Sequence, residues 1–482
     1  MKKLIRINAA LLLMSLFAVT ACNKNIDEFG NTNINPNTTP DPIPSALLTN
    51  VLSGLGGIAW GNATNIPGGL YAQYMSETQY TDASRYATPT TNWDGFYAGP
   101  LYDLQNIINM NSDPEKAEKA AEFGSNANQI AIARILKVLY FKTITDAWGD
   151  VPYFQALKGE GNIPYDKQED IYPDLLKELK EAANQFDNGP TVKGDIMYSG
   201  NTTKWKRFAN SLRAILALRM SKANPTLGKA EFADAIAAGV IESNADNAAI
   251  QYPGGVYRNP IYNYYAITQR FDYAISETIT DMMNNLNDPR ILKYGTSTKG
   301  FPYGLTRNDA IARQGANPDH GWLYAYTSTP ETFPLYLLTA GQVYLARAEA
   351  AKLTWTAEDA ETNYKTGITL EMNRWGITDA TTINDYLDQP DVALNGTDDF
   401  QRIAEQRWLA HYPDGNEGWA EWRRTGYPEL TPAPGSGRPI PLRLPYGTNE
   451  PLYNPENFAA ASARYTVGGV NNSQDGAVWW DK

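Results

Sequence analysis

Tyrosine and tryptophan side chains concentrate in three long segments of the sequence in which helical patterns are weak. The segments cover residues 71–97, 251–271 and 294–326, and they are also rich in Gly, Pro and Asn. An aromatic ring stacks on the C–H face of a sugar, and Asn, Asp, Gln or Arg beside it can hydrogen-bond to hydroxyl groups. The composition predicts loops that form a binding platform for carbohydrate or peptide.

Seven residues of these segments are the predicted ligand contacts. Trp93 offers a large stacking face, and Asp82 and Arg85 lie close to it in sequence as partners for hydroxyl groups. The later segments contribute two aromatic pairs with i, i+2 spacing, which on an extended chain places both rings of a pair on one face. About half of the seven are expected to be buried within the loops. The complete set is Asp82, Arg85, Trp93, Tyr262, Tyr264, Trp322 and Tyr324.

Enzymatic chemistry finds little support in the sequence. There is no serine nucleophile elbow, no phosphate-binding glycine loop and no His-Glu-x-x-His motif. One cysteine and two distant histidines, His320 and His411, exclude a multi-cysteine zinc site and leave little for histidine-based chemistry, and His411 is predicted to be structural. No catalytic residue, metal or cofactor is predicted. A paired-carboxylate glycosidase stays open as an alternative, because 53 acidic residues always offer some pair.

The start of the chain has the pattern of a bacterial lipoprotein signal. Met1–Arg6 carries three positive charges, an apolar run follows, and the only cysteine, Cys22, stands directly after small residues. These features predict a signal peptide over residues 1–21 and lipidation of Cys22 as the first mature residue. Residues 22–44 are rich in Asn, Thr and Pro, which predicts a flexible tether. Residues 45–482 are then predicted to form the binding domain.

The composition is that of a folded, acidic protein. Of the 482 residues, 43% are hydrophobic and 12% are aromatic, which suffices to bury a large core. The formal net charge is −12, and removal of the signal peptide takes away three positive charges and no acidic residue. This charge argues against nucleic acid or an anionic lipid surface as the main partner.

Apolar residues recur with helical spacing in three successive pairs of segments. Two helices joined by a short connection bury their apolar faces against each other, and repetition of such a unit predicts a mainly α fold with tetratricopeptide-like stacking. Clear strands are scarce. The predicted pairs are residues 92–109 with 126–148, 171–186 with 203–221, and 333–353 with 357–375.

Two further motifs are predicted to be structural. The run from Trp148 to Pro152 combines a large anchor, a glycine able to adopt positive φ and a proline that forbids helix continuation, so it predicts a helix end and a corner. Glu421-Trp422-Arg423-Arg424 places two guanidinium groups beside carboxylates, which predicts an internal ion-pair brace. The acidic clusters at Asp398-Asp399 and at residues 417–421 are interpreted as a solvated helix start or as partners of an arginine such as Arg423.

The motifs also carry a family resemblance, because they occur in a characteristic order along nearly the whole chain. In this combination the sequence resembles the SusD/RagB family of outer-membrane nutrient-binding lipoproteins, and it is closest to the SusD-like branch. The motifs are Asp146-Ala147-Trp148-Gly149-Asp150-Val151-Pro152-Tyr153, Trp205 to Arg219, Tyr344-Leu345-Ala346-Arg347-Ala348-Glu349-Ala350, Glu421-Trp422-Arg423-Arg424-Thr425-Gly426-Tyr427-Pro428, Arg438-Pro439-Ile440-Pro441 and Asn454-Pro455-Glu456-Asn457.

The resemblance implies a helical body with tetratricopeptide-like pairs on one side and irregular loops on the other. It implies a lipid-anchored protein of the outer membrane, exposed at the cell surface, that captures oligosaccharide and delivers it to a SusC-like TonB-dependent transporter without catalysis. Two alternatives stay open. Aromatic loops can bind peptide equally well in the same transport architecture, and a surface glycoside hydrolase is the third hypothesis.

Overall fold

Helices make up most of the part of the chain that the structure describes. The computed structural model describes residues 42–61, 64–316, 319–323 and 330–482, and Pro44–Lys482 forms one compact unit. The predictions for the signal peptide, for most of the tether and for Cys22 lie outside the described residues, as does Tyr324. Among the described helices, none is both long and apolar enough to cross a membrane.

The first half of the chain contains the elements that build the first two predicted helix pairs. In chain order they are α1 (Pro44–Gly54), α2 (Gly56–Ala59), α3 (Asn65–Tyr71), β1 (Met75–Glu77), α4 (Asp94–Phe96), a π-helical turn (Tyr97–Leu101), α5 (Tyr102–Ser112), α6 (Ala117–Ala120), a 3-10 turn (Ala121–Phe123), α7 (Asn126–Trp148), α8 (Gln168–Gln185), α9 (Thr202–Arg219), α10 (Pro225–Ala237), a 3-10 turn (Asn244–Asp246) and β2 (Ala248–Ile250).

The second half contains the third helix pair and most of the short elements. In chain order they are α11 (Pro260–Tyr262), a π-helical turn (Asn263–Ile267), β3 (Tyr273–Ile275), α12 (Glu277–Asn285), α13 (Ile291–Tyr294), α14 (Arg307–Ala316), β4 (Leu335–Leu338), α15 (Ala340–Lys352), α16 (Ala360–Arg374), α17 (Ala380–Leu387), α18 (Asp399–His411), α19 (Gly415–Thr425), α20 (Glu450–Tyr453), α21 (Pro455–Ala463) and a 3-10 turn (Trp479–Asp481).

All three predicted helix pairs are confirmed. Helix α5 packs on α7, α8 packs on α9, and α15 packs on α16, while α7 also packs on α8 and α9 on α10. The helices therefore stack in sequence order, as in a tetratricopeptide array. The apolar spacing explains the contact in α8, where Ile171, Leu175 and Leu179 are all fully buried at i, i+4 intervals.

Two of the predicted helices differ from the observed ones at their N-terminal halves. The segment 92–109 is interrupted at Gly99, whose ψ of −106° is not helical and which precedes Pro100. The segment 333–353 begins with strand β4, and its helix starts only after Thr339. There the Thr339 hydroxyl accepts from the Gln342 amide at 3.2 Å and the Gln342 side chain accepts from the Thr339 amide at 3.0 Å, which fixes the helix start.

The predicted corner after α7 is confirmed. The helix ends at Trp148, and Gly149 adopts a φ of +84°, a region that favours glycine. The Trp148 indole donates to the Pro445 carbonyl at 3.0 Å, and the Tyr465 hydroxyl accepts from the Asp150 amide at 2.9 Å. The corner therefore holds α7 against the C-terminal part of the chain.

The predicted ion-pair brace is also confirmed, although its partners differ from the expected ones. Glu421 accepts from Arg407 at 2.9 Å and from Arg424 at 2.6 Å, and all three side chains are buried. Arg423 is not the partner of Glu421. Its guanidinium donates instead to the backbone carbonyls of Asp146 at 2.8 Å and Leu442 at 2.9 Å. Because buried charges must be paired and hydrogen-bonded to be tolerated, this network ties α19 to α18 and to the end of α7.

The neighbouring acidic clusters contain buried carboxylates that are paired with basic side chains. Asp399 is 5% exposed and pairs with Lys352 at 2.6 Å, and Glu417 is 8% exposed and pairs with Arg219 at 2.6 Å. The predicted alternative of an arginine partner is confirmed for Glu417, although the partner is Arg219 rather than Arg423. Asp398 is exposed at the start of α18, as predicted, whereas Asp399 is not solvated because helices from distant parts of the chain pack over it. His411, 3% exposed, lies in the same interior, and burial lowers the pKa of its imidazole well below the usual range, as expected for a structural histidine.

The described strands form two small antiparallel sheets. In the first, β1 pairs with β3 in the register Met75 to Ile275, Ser76 to Ala274 and Glu77 to Tyr273. In the second, β2 pairs with β4. On the free side of β3, Ala274 also forms an antiparallel bridge with Trp322. Strand β3 therefore brings together three segments that are far apart in the sequence.

Candidate ligand-binding cleft

The antiparallel pairing of β1 and β3 places the residues that follow β1 beside the residues that precede β3. The Thr78 amide donates to the Asp272 carbonyl at 2.9 Å, and its hydroxyl donates to the Phe271 carbonyl at 2.7 Å. On the other side of β3, the Ile275 amide donates to the Gly321 carbonyl at 3.1 Å, next to Trp322. Three loops from separate parts of the chain thus meet at one end of this sheet.

An open cleft lies where these loops meet. Its volume is about 560 Å³, which is within the size range of small-molecule sites. Its lining combines aromatic rings with amide, carboxylate and guanidinium groups. We name it the aromatic cleft, and its lining residues are Gln79, Tyr80, Gln269, Arg270, Phe271, Asp272, Gln314 and Trp322.

Two aromatic side chains line the aromatic cleft in different ways. Tyr80 is 53% exposed, and the guanidinium carbon of Arg307 lies 5.2 Å from the centre of its ring. Trp322 is partly buried and is held edge-on by Phe271 at 5.0 Å and by His320 at 4.8 Å between ring centres. Tyr80 therefore offers an exposed ring on the cleft wall, whereas the indole of Trp322 is fixed in place by its neighbours.

The polar groups of the aromatic cleft are arranged around Asp272. This carboxylate accepts from the Tyr264 hydroxyl at 2.8 Å and from Arg270 Nε at 2.8 Å, so both donors are oriented by it. Gln269, on the rim, adopts a φ of +51°, which is uncommon for a residue with a side chain. The side-chain amides of Gln79 and Gln314 also line the wall. The cleft thus offers amide donors and acceptors together with one oriented guanidinium.

The electrostatics of the sheet beneath the aromatic cleft are set by burial. Glu77, at the end of β1, is 7% exposed, and burial raises the pKa of its carboxyl from 4.5 to about 7. Its carboxyl accepts from the Ser84 amide at 2.8 Å and from the Ser84 hydroxyl at 2.9 Å, which lowers the pKa only in part. Burial together with the contact to Asp272 raises the pKa of Tyr264, so its phenol stays protonated and donates.

Metal binding has no support from side-chain clusters in the described ranges. No group of three or more His, Cys, Asp or Glu residues is placed to hold an ion there. The aromatic cleft itself contributes the single carboxylate of Asp272, and its hydrogen bonds to Arg270 and Tyr264 already occupy it. The arrangement suits recognition of hydroxyl and amide groups rather than coordination of a cation.

Comparison with known proteins identifies the family. A family model described as "SusD-like_2: Starch-binding associating with outer membrane" matches residues 36–447. The chain belongs to the SusD-like family. A search of curated proteins found no match.

Solved structures of SusD-like proteins share this fold. A chitin-binding protein is 28% identical, with a TM-score of 0.77 over 91% of this chain and 99% of its own. A SusD homologue from Bacteroides uniformis is 25% identical, with a TM-score of 0.75 over 92% and 100%. A SusD homologue from Parabacteroides distasonis is 24% identical, with a TM-score of 0.78 over 92% and 98%. The mainly helical, SusD-like fold expected from the sequence is confirmed.

The SusD-like fold places Trp93 in the core, which corrects the prediction that its ring is an exposed stacking face. Trp93 is 5% exposed. Its indole packs edge-on against Tyr97, Trp148, Tyr165 and Tyr446, with ring centres 5.4 to 6.4 Å apart. Because two of these rings come from the corner after α7 and from the C-terminal part of the chain, the sequence around Trp93 does not reveal its burial.

The predicted polar partners of Trp93 have separate surroundings. The Arg85 guanidinium donates to the carbonyls of Gly304 at 2.6 Å, Pro434 at 2.8 Å and Gly435 at 3.1 Å, so it joins three loops rather than standing free for a ligand. Asp82 is exposed in the same turn. Neither residue belongs to the lining of the aromatic cleft.

The later aromatic pairs also differ from the expected geometry. Tyr262 and Tyr264 lie in α11 and the π-helical turn that follows it, not on an extended strand, so the i, i+2 spacing does not place both rings on one face. Tyr264 nevertheless contacts the cleft through Asp272, while Tyr262 is partly buried outside the lining. Trp322 lies in the aromatic cleft, and Tyr324 lies outside the described residues.

Most of the polar lining was not predicted from the sequence. Tyr80 lies in the aromatic-rich segment 71–97 but is not among the seven predicted contacts, and neither are Gln79, Arg270 and Asp272. The available signal was the position of these residues directly beside the short strands β1 and β3. Strands of three residues show too little alternation of apolar and polar residues to be recognised as strands. The pairing of β1 with β3, and therefore the place where the three loops meet, cannot be predicted from the sequence.

Proposed function

We propose that this protein captures oligosaccharide in the aromatic cleft. It is a lipoprotein of the outer membrane, anchored through Cys22 and exposed at the cell surface. It delivers the bound sugar to a SusC-like TonB-dependent transporter without cleaving it. The observation that carries the proposal is the convergence of Tyr80, Trp322 and a polar wall of glutamine and arginine side chains on one open cleft.

The chemistry of this lining matches a sugar chain. The exposed ring of Tyr80 provides a flat apolar face for sugar C–H groups, and the Trp322 indole adds a second aromatic surface. The amides of Gln79, Gln269 and Gln314 can both donate to and accept from hydroxyl groups. Openness to solvent allows a ligand to leave as well as to enter, which suits a protein that passes its ligand on.

Binding without catalysis is supported by the carboxylates of the cleft. Glycoside hydrolysis ordinarily needs two carboxyl groups on opposite sides of the scissile bond, about 5 to 9.5 Å apart. Within the described lining, Asp272 is the one carboxylate, and hydrogen bonds from Arg270 and Tyr264 already occupy it. Glu77 of β1 is not part of this lining. Its carboxyl is buried and accepts a hydrogen bond from the Ser84 amide.

The ligand class is tested by calorimetric titration of the mature protein with chitohexaose and maltohexaose. These probes follow from the similar chitin-binding protein and from the starch-binding description of the family. Loss of one stacking ring is worth about 1 kcal/mol, so Tyr80→Ala is expected to weaken binding roughly 5-fold, and Tyr80→Ala with Trp322→Ala to weaken it roughly 30-fold.

Tyr102→Ala is the matched control, because Tyr102 is 52% exposed but lies on α5 outside the aromatic cleft. Equal weakening by Tyr102→Ala, or full binding by the double variant, would contradict the proposal. Binding of a mixed hexapeptide library in place of both glycans would favour the peptide alternative. Product analysis after overnight incubation checks for hydrolysis, which is expected to be undetectable.

The transport role has its own test. Detergent extracts of the native outer membrane are expected to yield a large barrel protein together with this chain when an affinity tag follows Lys482. Recovery of the chain alone under mild detergent, with the lipid anchor intact, would contradict a stable SusC-like partnership. This outcome is independent of whether the glycan titrations succeed.

A further inference from the structure

A second cavity lies in the C-terminal part of the chain, away from the lining of the aromatic cleft. It is formed by residues 445–448, by α20 and α21 and by residues 467–475, with residues 88–89 and Arg438 on the remaining side, and its volume is about 520 Å³. We name it the C-terminal cavity. A single water occupies about 30 Å³, so this volume exceeds what one or two bridging waters need.

Two amide or carboxylate oxygen atoms in the wall of the C-terminal cavity are buried without a hydrogen-bond donor among the described residues. They are Oε1 of Gln474 and Oδ1 of Asp475. Gln474 is 8% exposed and cannot turn away, because its Nε2 donates to the Tyr86 carbonyl at 2.9 Å. Buried acceptors of this kind are rare in folded proteins and each needs a partner. The positions of these atoms therefore call for donors supplied from the cavity.

The carboxyl of Asp475 is desolvated, as expected of an acceptor that lacks a donor. Burial raises the pKa of its carboxyl, and the attraction of Arg438 lowers it only in part. Arg438 is oriented by its own bond, in which Nη1 donates to the Tyr86 carbonyl at 2.8 Å. Adjacent acceptors with a guanidinium nearby match neighbouring hydroxyl groups, since a hydroxyl can donate to a carboxylate or amide oxygen and accept from an arginine.

The remaining wall is apolar and partly exposed. Val467 is 42% exposed and Val470 is 62% exposed, although both line the C-terminal cavity. A tight hairpin holds them in place, because each amide donates to the carbonyl of the other, at 3.1 and 3.0 Å, across two glycines with positive φ. The side chain of Phe458 lies in the same wall. Fixed apolar groups beside unpaired acceptors form the amphipathic surface that a sugar ring requires.

We propose that the C-terminal cavity is a second saccharide site, in which a pyranose ring packs on Val467, Val470 and Phe458 and donates hydroxyl hydrogen bonds to Gln474 and Asp475. The ligand class rests on the proposed function of the aromatic cleft, but the site does not share its lining. The segment from Tyr80 to Pro89 connects the two sites, since Tyr80 lines the aromatic cleft and Pro89 lines the cavity.

The test uses methyl and indole NMR signals of the mature protein titrated with chitobiose and with maltose. The Val467 and Val470 methyl signals report on the C-terminal cavity, and the Trp322 indole N–H reports on the aromatic cleft. At least one disaccharide is expected to shift both valine signals in a saturable manner. The valine shifts are expected to persist in Tyr80→Ala with Trp322→Ala and to be lost, or to need at least 10-fold more sugar, in Asp475→Ala.

Asp385→Ala, an exposed position on α17, is the matched control and is expected to leave both titrations unchanged. A shift at Trp322 without any at Val467 and Val470 overturns the second site while the proposed function stands. A response at neither place with either sugar counts against both. Valine shifts caused by free lysine but by neither disaccharide overturn the saccharide assignment in favour of an ammonium ligand. An unchanged unfolding midpoint shows that Asp475→Ala still folds, and valine shifts that survive in it overturn the assigned contacts.

Discussion

Replacement of Glu77 by Gln tests whether the sheet beneath the aromatic cleft is built around a buried neutral acid. The Glu77 carboxyl is 7% exposed, and burial raises its pKa from 4.5 to about 7. Gln is nearly isosteric with the protonated acid and cannot ionise. The variant should therefore keep the contact to the Ser84 amide and remove only the titration.

The sign and size of the effect follow from proton linkage. A carboxyl whose pKa is higher in the folded state than in the unfolded state stabilises the fold below pH 4.5, and this contribution is lost as the pH rises through about 7. Between pH 5 and pH 8 the wild type is expected to lose about 2.5 kcal/mol of unfolding free energy relative to Glu77→Gln. Other titrating groups are common to both proteins and cancel in the difference.

The measurement is urea unfolding followed by tryptophan fluorescence at four pH values and constant ionic strength. Glu118→Gln, at an exposed position on α6, serves as the control and should run parallel to the wild type at every pH. A difference between the wild type and Glu77→Gln that stays constant from pH 5 to pH 8 would refute the assignment. A difference that grows in favour of the wild type would reverse its sign.

Three further predictions concern the anchor and the core. Cys22→Ala is expected to move the protein from the membrane fraction to the soluble fraction, as fractionation and mass spectrometry for acyl chains can show. Trp93→Ala is expected to lower the free energy of unfolding in urea by about 3–5 kcal/mol, because Trp93 is only 5% exposed. The folded variant should keep its affinity for glycan. A loss of binding at unchanged stability would instead place Trp93 in the ligand site. Gly68→Ala is expected to cost about 1–3 kcal/mol, because its Cβ would lie 2.6 Å from the Gly415 carbonyl oxygen, whereas Gly57→Ala, with no atom within 4 Å of its Cβ, should be close to neutral in the same assay.

Local patterns in the sequence were sufficient for the helical framework. The spacing of Ile171, Leu175 and Leu179 determines which face of α8 is buried, whatever packs on it. The corner at Gly149 also follows from a few consecutive residues. Such features can be recognised from the sequence because residues close together in the chain determine them. The ordered set of motifs was likewise enough to indicate the SusD-like family.

The position of the binding surface was decided by tertiary structure. Trp93 and Tyr80 look equivalent in the sequence. In the structure Tyr446, far along the chain, packs against Trp93 and helps to bury it, whereas Tyr80 stays 53% exposed. Trp322 is brought to the aromatic cleft by its bridge to Ala274 in β3, a residue 48 positions away in the sequence. Exposure depends on contacts between residues hundreds of positions apart, and composition alone carries no record of which aromatic ring those contacts will bury.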